Sequence, residues 1–131
     1  VRAFAPALST PAILEAIRGG RVIVMASPRL PPPSVTVRGG GSTAAIGDTL
    51  SLRPGESFEV AVSAEGPVYD GARAELFWRG ERVAVQDLDP GAPSRFTRWA
   101  TAEGYLRVHV LGADSSPMAV TNPVWVRVAT P

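Results

Sequence analysis

Gly104-Tyr105-Leu106-Arg107-Val108-His109-Val110 alternates without a break. Successive side chains of a strand point to opposite faces, so Leu106, Val108 and Val110 fall on one side and Tyr105, Arg107 and His109 on the other. A period of two, with β-branched residues prominent among the apolar positions, predicts a strand with one face on a core. Val124-Trp125-Val126-Arg127-Val128 repeats the pattern after a polar loop bearing glycine and proline. Together they predict the last hairpin of an all-β domain.

The stretches upstream have the same character. Arg79-Gly80 reads as a two-residue hairpin turn. That turn sets Leu76 opposite Val83 and Ala74 opposite Val85 on the inner side, with Phe77 opposite Arg82 and Arg73 opposite Gln86 outside, and the apolar pattern of both strands agrees with this register. Arg53-Pro54-Gly55-Glu56 carries proline and glycine at the central positions of a type II turn, and Phe58, Val60 and Val62 then alternate with Glu59, Ala61 and Ser63. Val35-Thr36-Val37, the run through Leu50 to Leu52, and Arg95 to Ala100 are further strands. Gly39-Gly40-Gly41-Ser42 and Asp87 to Pro93 are loops. Short strands with Gly/Pro punctuation predict an all-β, immunoglobulin-like β-sandwich of about seven strands, with one short N-terminal helix. Leu106 falls at the corner where such domains often carry a tyrosine, and Tyr105, offset by one, is expected outside.

The helix comes first. Thr10 is the expected N-cap and Pro11 the first helical residue, where a missing N–H costs nothing. Ile13, Leu14 and Ile17 form an apolar stripe, and Gly19-Gly20 ends the helix. So short a helix is marginal alone, so the stripe is expected to rest on something. Arg21-Val22-Ile23-Val24-Met25-Ala26 follows as a strand whose unbroken apolar run predicts burial on both faces, as under a neighbouring domain. Ser27 to Pro33 reads as a stiff polyproline connector. This places an internal boundary between residues 1–33, a junction from an upstream domain, and residues 34–131, the sandwich.

With 131 residues, the chain is the size of one domain and long enough to bury a core without staples. It opens on valine, which is not a translation start, and reads as a fragment or processed form. No opening segment resembles a signal peptide, and no apolar run approaches a membrane span. All thirteen basic residues are arginine, dispersed among twelve acids, for a net charge of +1. Arginine suits bidentate phosphate recognition, but without a basic run neither nucleic acid nor membrane is an expected partner. The absence of cysteine removes disulfides, thiolate metal sites and thiol nucleophiles.

Few residues suggest chemistry. His109 is the single histidine, and general acid-base work needs a positioned second group that the sequence does not offer. Asp114-Ser115-Ser116-Pro117 is turn composition rather than a nucleophile elbow. Asp87 and Asp89, with Asp70, are the only calcium-like set, and acids beside Pro-Gly are more simply turn formers. Gly39 to Gly41 lacks the lysine of a phosphate-binding loop. The expectation is no catalytic residue, no metal ligand and no cofactor in this chain. The outer-face set Tyr105, Arg107, His109, Trp125 and Arg127 is the candidate docking face, since aromatic and arginine side chains are enriched where proteins dock. Aromatics on a sheet also stack on sugars. Alternatively the chain's own helix covers Trp125 through Ile13, Leu14 and Ile17.

The order of these features resembles one family. Pro11 to Val24, with Gly19-Gly20-Arg21-Val22 at its centre, is similar to the segment that closes the catalytic domain of the PHP (polymerase and histidinol phosphatase) metal-dependent hydrolases. In a microbial branch of phosphoesterases that segment is followed by a β-sandwich tail. Gly47-Asp48 before a strand, the residue-Gly turn Arg79-Gly80, Gly104-Tyr105-x-Arg107-Val108, and Asn122-Pro123-Val124-Trp125-Val126 resemble that tail in order and spacing. The likeness spans nearly the whole chain. It implies a non-catalytic accessory domain acting in docking, stability or oligomerisation, with an upstream catalytic domain or second subunit as partner. The family's metals are held by His-x-His and Asp-x-His pairs, none of which occurs here, so the resemblance transfers no catalytic residue. The alternative is a free-standing carbohydrate- or surface-binding module.

Overall fold

A computed structural model describes residues 2–89 and 91–129. Pro90, in the middle of the expected Asp87 to Pro93 loop, lies outside the described residues. The elements are β1 (Arg2–Ala3), α1 (Thr10–Arg18), β2 (Val22–Met25), β3 (Ser34–Gly39), β4 (Ser42–Ala45), β5 (Thr49–Leu52), β6 (Ser57–Ser63), β7 (Arg73–Trp78), β8 (Glu81–Asp87), β9 (Ser94–Trp99), β10 (Gly104–Leu111), β11 (Pro117–Thr121) and β12 (Val124–Val128). They build an all-β sandwich of two sheets with one short α-helix, as the sequence predicts.

The smaller sheet runs β4-β3-β6-β9. In the larger, β10 is central. One of its edges pairs with β7, which pairs with β8; the other pairs first with β12 and then with β11. β11 leads on to β2 and β1, and β12 to β5, the only parallel pair among the described residues. Leu106, Val108 and Val110 face inward and are buried, as are Phe58, Val60 and Val62 of the facing sheet. Each such side chain stabilises the fold by about 1.5–3 kcal/mol relative to exposure.

The described residues form twelve strands where the sequence predicts about seven. One of the additional strands starts at the end of an expected loop, and another lies within one. Gly40 and Gly41, both at positive φ, make a tight turn that folds Ser42–Ala45 back on β3. β11 hides in the expected final loop because it opens on Pro117 and buries Met118 and Ala119 in succession, which erases the alternation. The last hairpin therefore becomes a three-strand arrangement. The chain leaves β10 through β11, breaks at Asn122-Pro123, and returns to the same edge as β12.

The hairpin of β7 and β8 keeps only part of its expected register. Arg79 and Gly80 are both at positive φ, the geometry of a type I′ turn, and Phe77 opposes Arg82. Beyond that point a bulge shifts the pairing, so that Leu76 meets Ala84, Ala74 meets Gln86 and Arg73 meets Asp87. Ala84 packs on the core, while Val83 and Val85 are exposed. A bulge bends its strand, and here the bent edge closes onto the other sheet. Gln86 Nε2 donates to the Arg95 carbonyl at 2.7 Å, and Ser94 Oγ to the Asp87 carbonyl.

At the N-terminus the cap is Ser9, one residue earlier than expected, and its hydroxyl accepts from Ala12 N–H. Gly20, at φ +74°, closes the helix. The helix end packs on Gly47, where a Cβ would meet the Gly19 carbonyl oxygen at 2.5 Å. β2 is not covered on both faces, since Val24 is 50% exposed. The first half of the connector is a turn, with Leu30 N–H donating to the Ser27 carbonyl, and its end is pinned by the buried Tyr69, whose hydroxyl donates to the Pro31 carbonyl. Burial pushes the Tyr69 phenol above its ordinary range, and nearby Arg2 opposes that shift.

The break at Asn122-Pro123 leaves β10 without a backbone partner at Val108 on that edge. Val108 N–H donates instead to Thr121 Oγ1 at 3.0 Å, in a buried position. An unsatisfied buried donor costs about 1–3 kcal/mol. Thr121→Val, which keeps the shape and removes the acceptor, is expected to destabilise the fold by about 1–3 kcal/mol in urea unfolding, and Thr121→Ser by less than half of that.

Candidate docking face

The outer face of the larger sheet carries all five residues of the expected docking set, and the fold sorts them into two groups. Tyr105 and Trp125 are register partners on β10 and β12, with ring centroids 5.4 Å apart. Thr49 flanks Trp125 on the other side, across the parallel β12–β5 pair. Arg127 follows on the same face beside Ser51. Trp125 is 49% exposed. The stripe of α1 does not cover it: Leu14 and Ile17 are themselves 44% and 48% exposed, and Ile13 and Ile17 line a groove with Leu8 and the alanines of the N-terminal arm.

A cleft of about 500 Å³ opens over this aromatic pair, lined by Thr49, Arg79, Glu103, Tyr105, Trp125 and Arg127. Arg79 enters it from the β7–β8 turn. Its N–H donates to the Tyr105 carbonyl at 3.0 Å, which ties the turn to β10. Its side chain runs over Gly104, where a Cβ would lie 2.9 Å from Arg79 Cγ and 2.7 Å from Trp78 Cζ2. Glycine at 104 is thus needed for the arginine to lie there. Arg79 keeps φ at +52°, a region that non-glycine residues seldom occupy and that recurs at functional sites. Among the described residues, neither Arg79 nor Arg127 has a carboxylate within salt-bridge distance.

The second group is half-buried against β7. Arg107 opposes Phe77 and His109 opposes Glu75 across β10 and β7. The His109 ring lies 4.2 Å from that of Phe77, and the Arg107 guanidinium carbon 5.6 Å from the same ring. Glu75 is only 7% exposed and accepts from Arg82 Nη1 at 2.8 Å. His109 Nε2 and Arg107 Nε are out of solvent and without a hydrogen-bond partner among the described residues.

The other marked residues are dispersed. Asp114 Oδ1 accepts from the N–H and hydroxyl of Ser116, which holds its carboxyl below the usual range and shapes an Asx turn. Ser115 Oγ accepts from Arg73. Among the described residues no three histidine or acidic side chains gather at one point, Asp70, Asp87 and Asp89 included. Glu75 and Arg79 are the residues that sequence reasoning missed. The type I′ turn was legible at Arg79, but not the direction of its side chain. Glu75 carried no signal, because a charged residue on an outer face reads as solvated.

Comparison of the chain with family models, with curated proteins and with solved structures finds no match.

His109 is held below its ordinary value of 6.5, first by burial and second by the Arg107 guanidinium, with Glu75 opposing. The unfolded chain binds a proton near pH 6.5 that the folded chain refuses until lower pH, so this residue makes the fold less stable as pH falls below that value. Thermal melts should show a lower Tm at about pH 5.5 than at about pH 7.5, and His109→Gln should flatten that difference. An unchanged slope in the variant would assign the effect to other groups.

Proposed function

We propose that this chain is a non-catalytic C-terminal accessory domain of a PHP-type metal-dependent hydrolase, docked on its catalytic domain through the N-terminal arm and helix. The observation that carries this reading is the uncovered apolar surface of that arm. Leu8 is 97% exposed, and with Leu14 and Ile17 it leaves the apolar side of a helix open to water. A two-turn helix is not stable by propensity alone. This one is held by its Ser9 cap and by its C-terminal packing on Gly47, while its stripe stays available. A contiguous exposed apolar patch is the usual mark of a docking site, and Leu14 and Ile17 lie on the segment that resembles the close of the PHP catalytic domain. The reaction, its metals and its phosphoester substrate belong, in this reading, to the upstream domain.

A second reading, a free-standing carbohydrate- or surface-binding module, is favoured by the half-exposed Trp125 beside Tyr105.

The test is a double substitution, Leu14→Glu with Ile17→Glu. Both positions are half exposed, so the Tm of this chain should move by less than about 3 °C. Its association with the upstream catalytic domain should weaken at least about tenfold in titration calorimetry. Unaltered association overturns the reading, and so does phosphoester turnover by this chain alone with added manganese or zinc.

A further inference from the structure

We propose that the cleft over Tyr105 and Trp125 binds an oligosaccharide bearing uronic acid groups. The inference names a ligand for the second reading above and shares no residue with the helix stripe, so either can fail without the other.

Four features of the cleft point to this class. An indole half exposed on a sheet face is an apolar platform, and the tilted Tyr105 ring at 5.4 Å braces it. Such a platform stacks on a ligand with one flat C–H face, which a pyranose ring has. Arg79 and Arg127 supply planar forks suited to bidentate capture of a carboxylate, and neither is engaged by an acid of the chain among the described residues. Glu103 and Thr49, on the same walls, accept hydrogen bonds that sugar hydroxyls donate. The cleft volume of about 500 Å³ falls within the roughly 300–1,000 Å³ of small-ligand sites.

The same features disfavour other polymers. The floor is made by β10 and β12, whose edges are taken by β7, β11, β5 and each other. On that floor, among the described residues, a peptide therefore finds no open strand edge to add to, β5 at the Thr49 wall being the sheet's outer strand, and recognition on the floor must come from side chains. A nucleic acid would stack equally well on the rings. It needs a run of positive charge along its backbone, which a net charge of +1 with Glu103 on the rim does not supply. The backbone of Arg79 is the remaining argument. An Asn or Gly would occupy φ +52° with less strain, and neither would carry a guanidinium to the cleft.

Titration calorimetry with trigalacturonate, the neutral galactose trisaccharide and a trinucleotide provides the test. The uronate should bind, and the neutral sugar at least about tenfold more weakly. Trp125→Ala should abolish detectable binding, and Trp125→Phe should retain part of it. Arg79→Gln with Arg127→Gln should bring the charged and neutral sugars to within about threefold of each other. Circular dichroism of each variant separates loss of the site from loss of fold, and a folded Trp125→Phe keeps the comparison valid if the alanine variant fails to fold. Equal binding of both sugars, uronate binding unaffected by Trp125→Ala, preference for the trinucleotide, or no binding by any of them overturns the proposal.

Discussion

The larger sheet depends on how one strand, β10, has its hydrogen-bonding capacity met. One edge is served continuously by β7. The other is served by two strands in succession, because the chain cannot continue through Pro123, which has no N–H to give. At the join the Thr121 hydroxyl takes the place of a backbone carbonyl for Val108. That substitution lets the last segment change neighbours, from β2 on the antiparallel side to β5 on the parallel side. Trp125 N–H donating to the Asp48 carbonyl, and Gly47 N–H to the Pro123 carbonyl, fix the new course. Without the switch β12 would not lie beside Tyr105, and no aromatic pair would form.

The inner face of this architecture was legible in the sequence because its signal is a simple one. Leu106, Val108 and Val110, like Phe58, Val60 and Val62, alternate with polar or small residues, and burial of one face demands just that. The turns at Gly55 and Gly80 were legible for a similar reason, since positive φ narrows the choice of residue. What escaped was whatever broke the period. β11 places Met118 and Ala119 inward in succession, and the bulge in β8 moves Val83 and Val85 from the inner face to the outer. In both places an apolar residue is not where alternation puts it. The register of β8 is decided by how far the edge must bend to reach β9, which is a property of the other sheet and not of the local sequence.

The candidate face was legible in its membership and not in its chemistry. Period two assigns Tyr105, Arg107, His109, Trp125 and Arg127 to one side, and it says nothing about what lies between the strands on that side. β7 decides that. Phe77 fills the space beside Arg107 and His109, and Glu75 pairs with Arg82, so the upper half of the face is a half-buried layer of packed rings with one charge pair. The lower half has no equivalent of Phe77, because β7 ends at Trp78 and its turn contributes Arg79 instead. An identical alternation on β10 thus yields a packed surface at one end and an open cleft at the other.

The N-terminal arm obeys the same logic of partial satisfaction. Its polar requirements are met within the chain: Ser9 caps the helix, Gly20 and Gly47 let its end approach the sandwich, and the Tyr69 hydroxyl holds the connector at Pro31. Its apolar requirements are met only in part, since Leu8 is exposed and Leu14 and Ile17 are half exposed. Backbone hydrogen bonds and close glycine contacts fix where a segment sits, but they bury little hydrocarbon, and burial supplies most of the free energy of folding. A segment positioned by the first kind of interaction and lacking the second is oriented without being saturated. That combination suits a surface that a second folded body completes, and it sets the arm apart from the Tyr105–Trp125 cleft, where guanidiniums and a carboxylate beside the rings match a smaller, hydroxylated ligand.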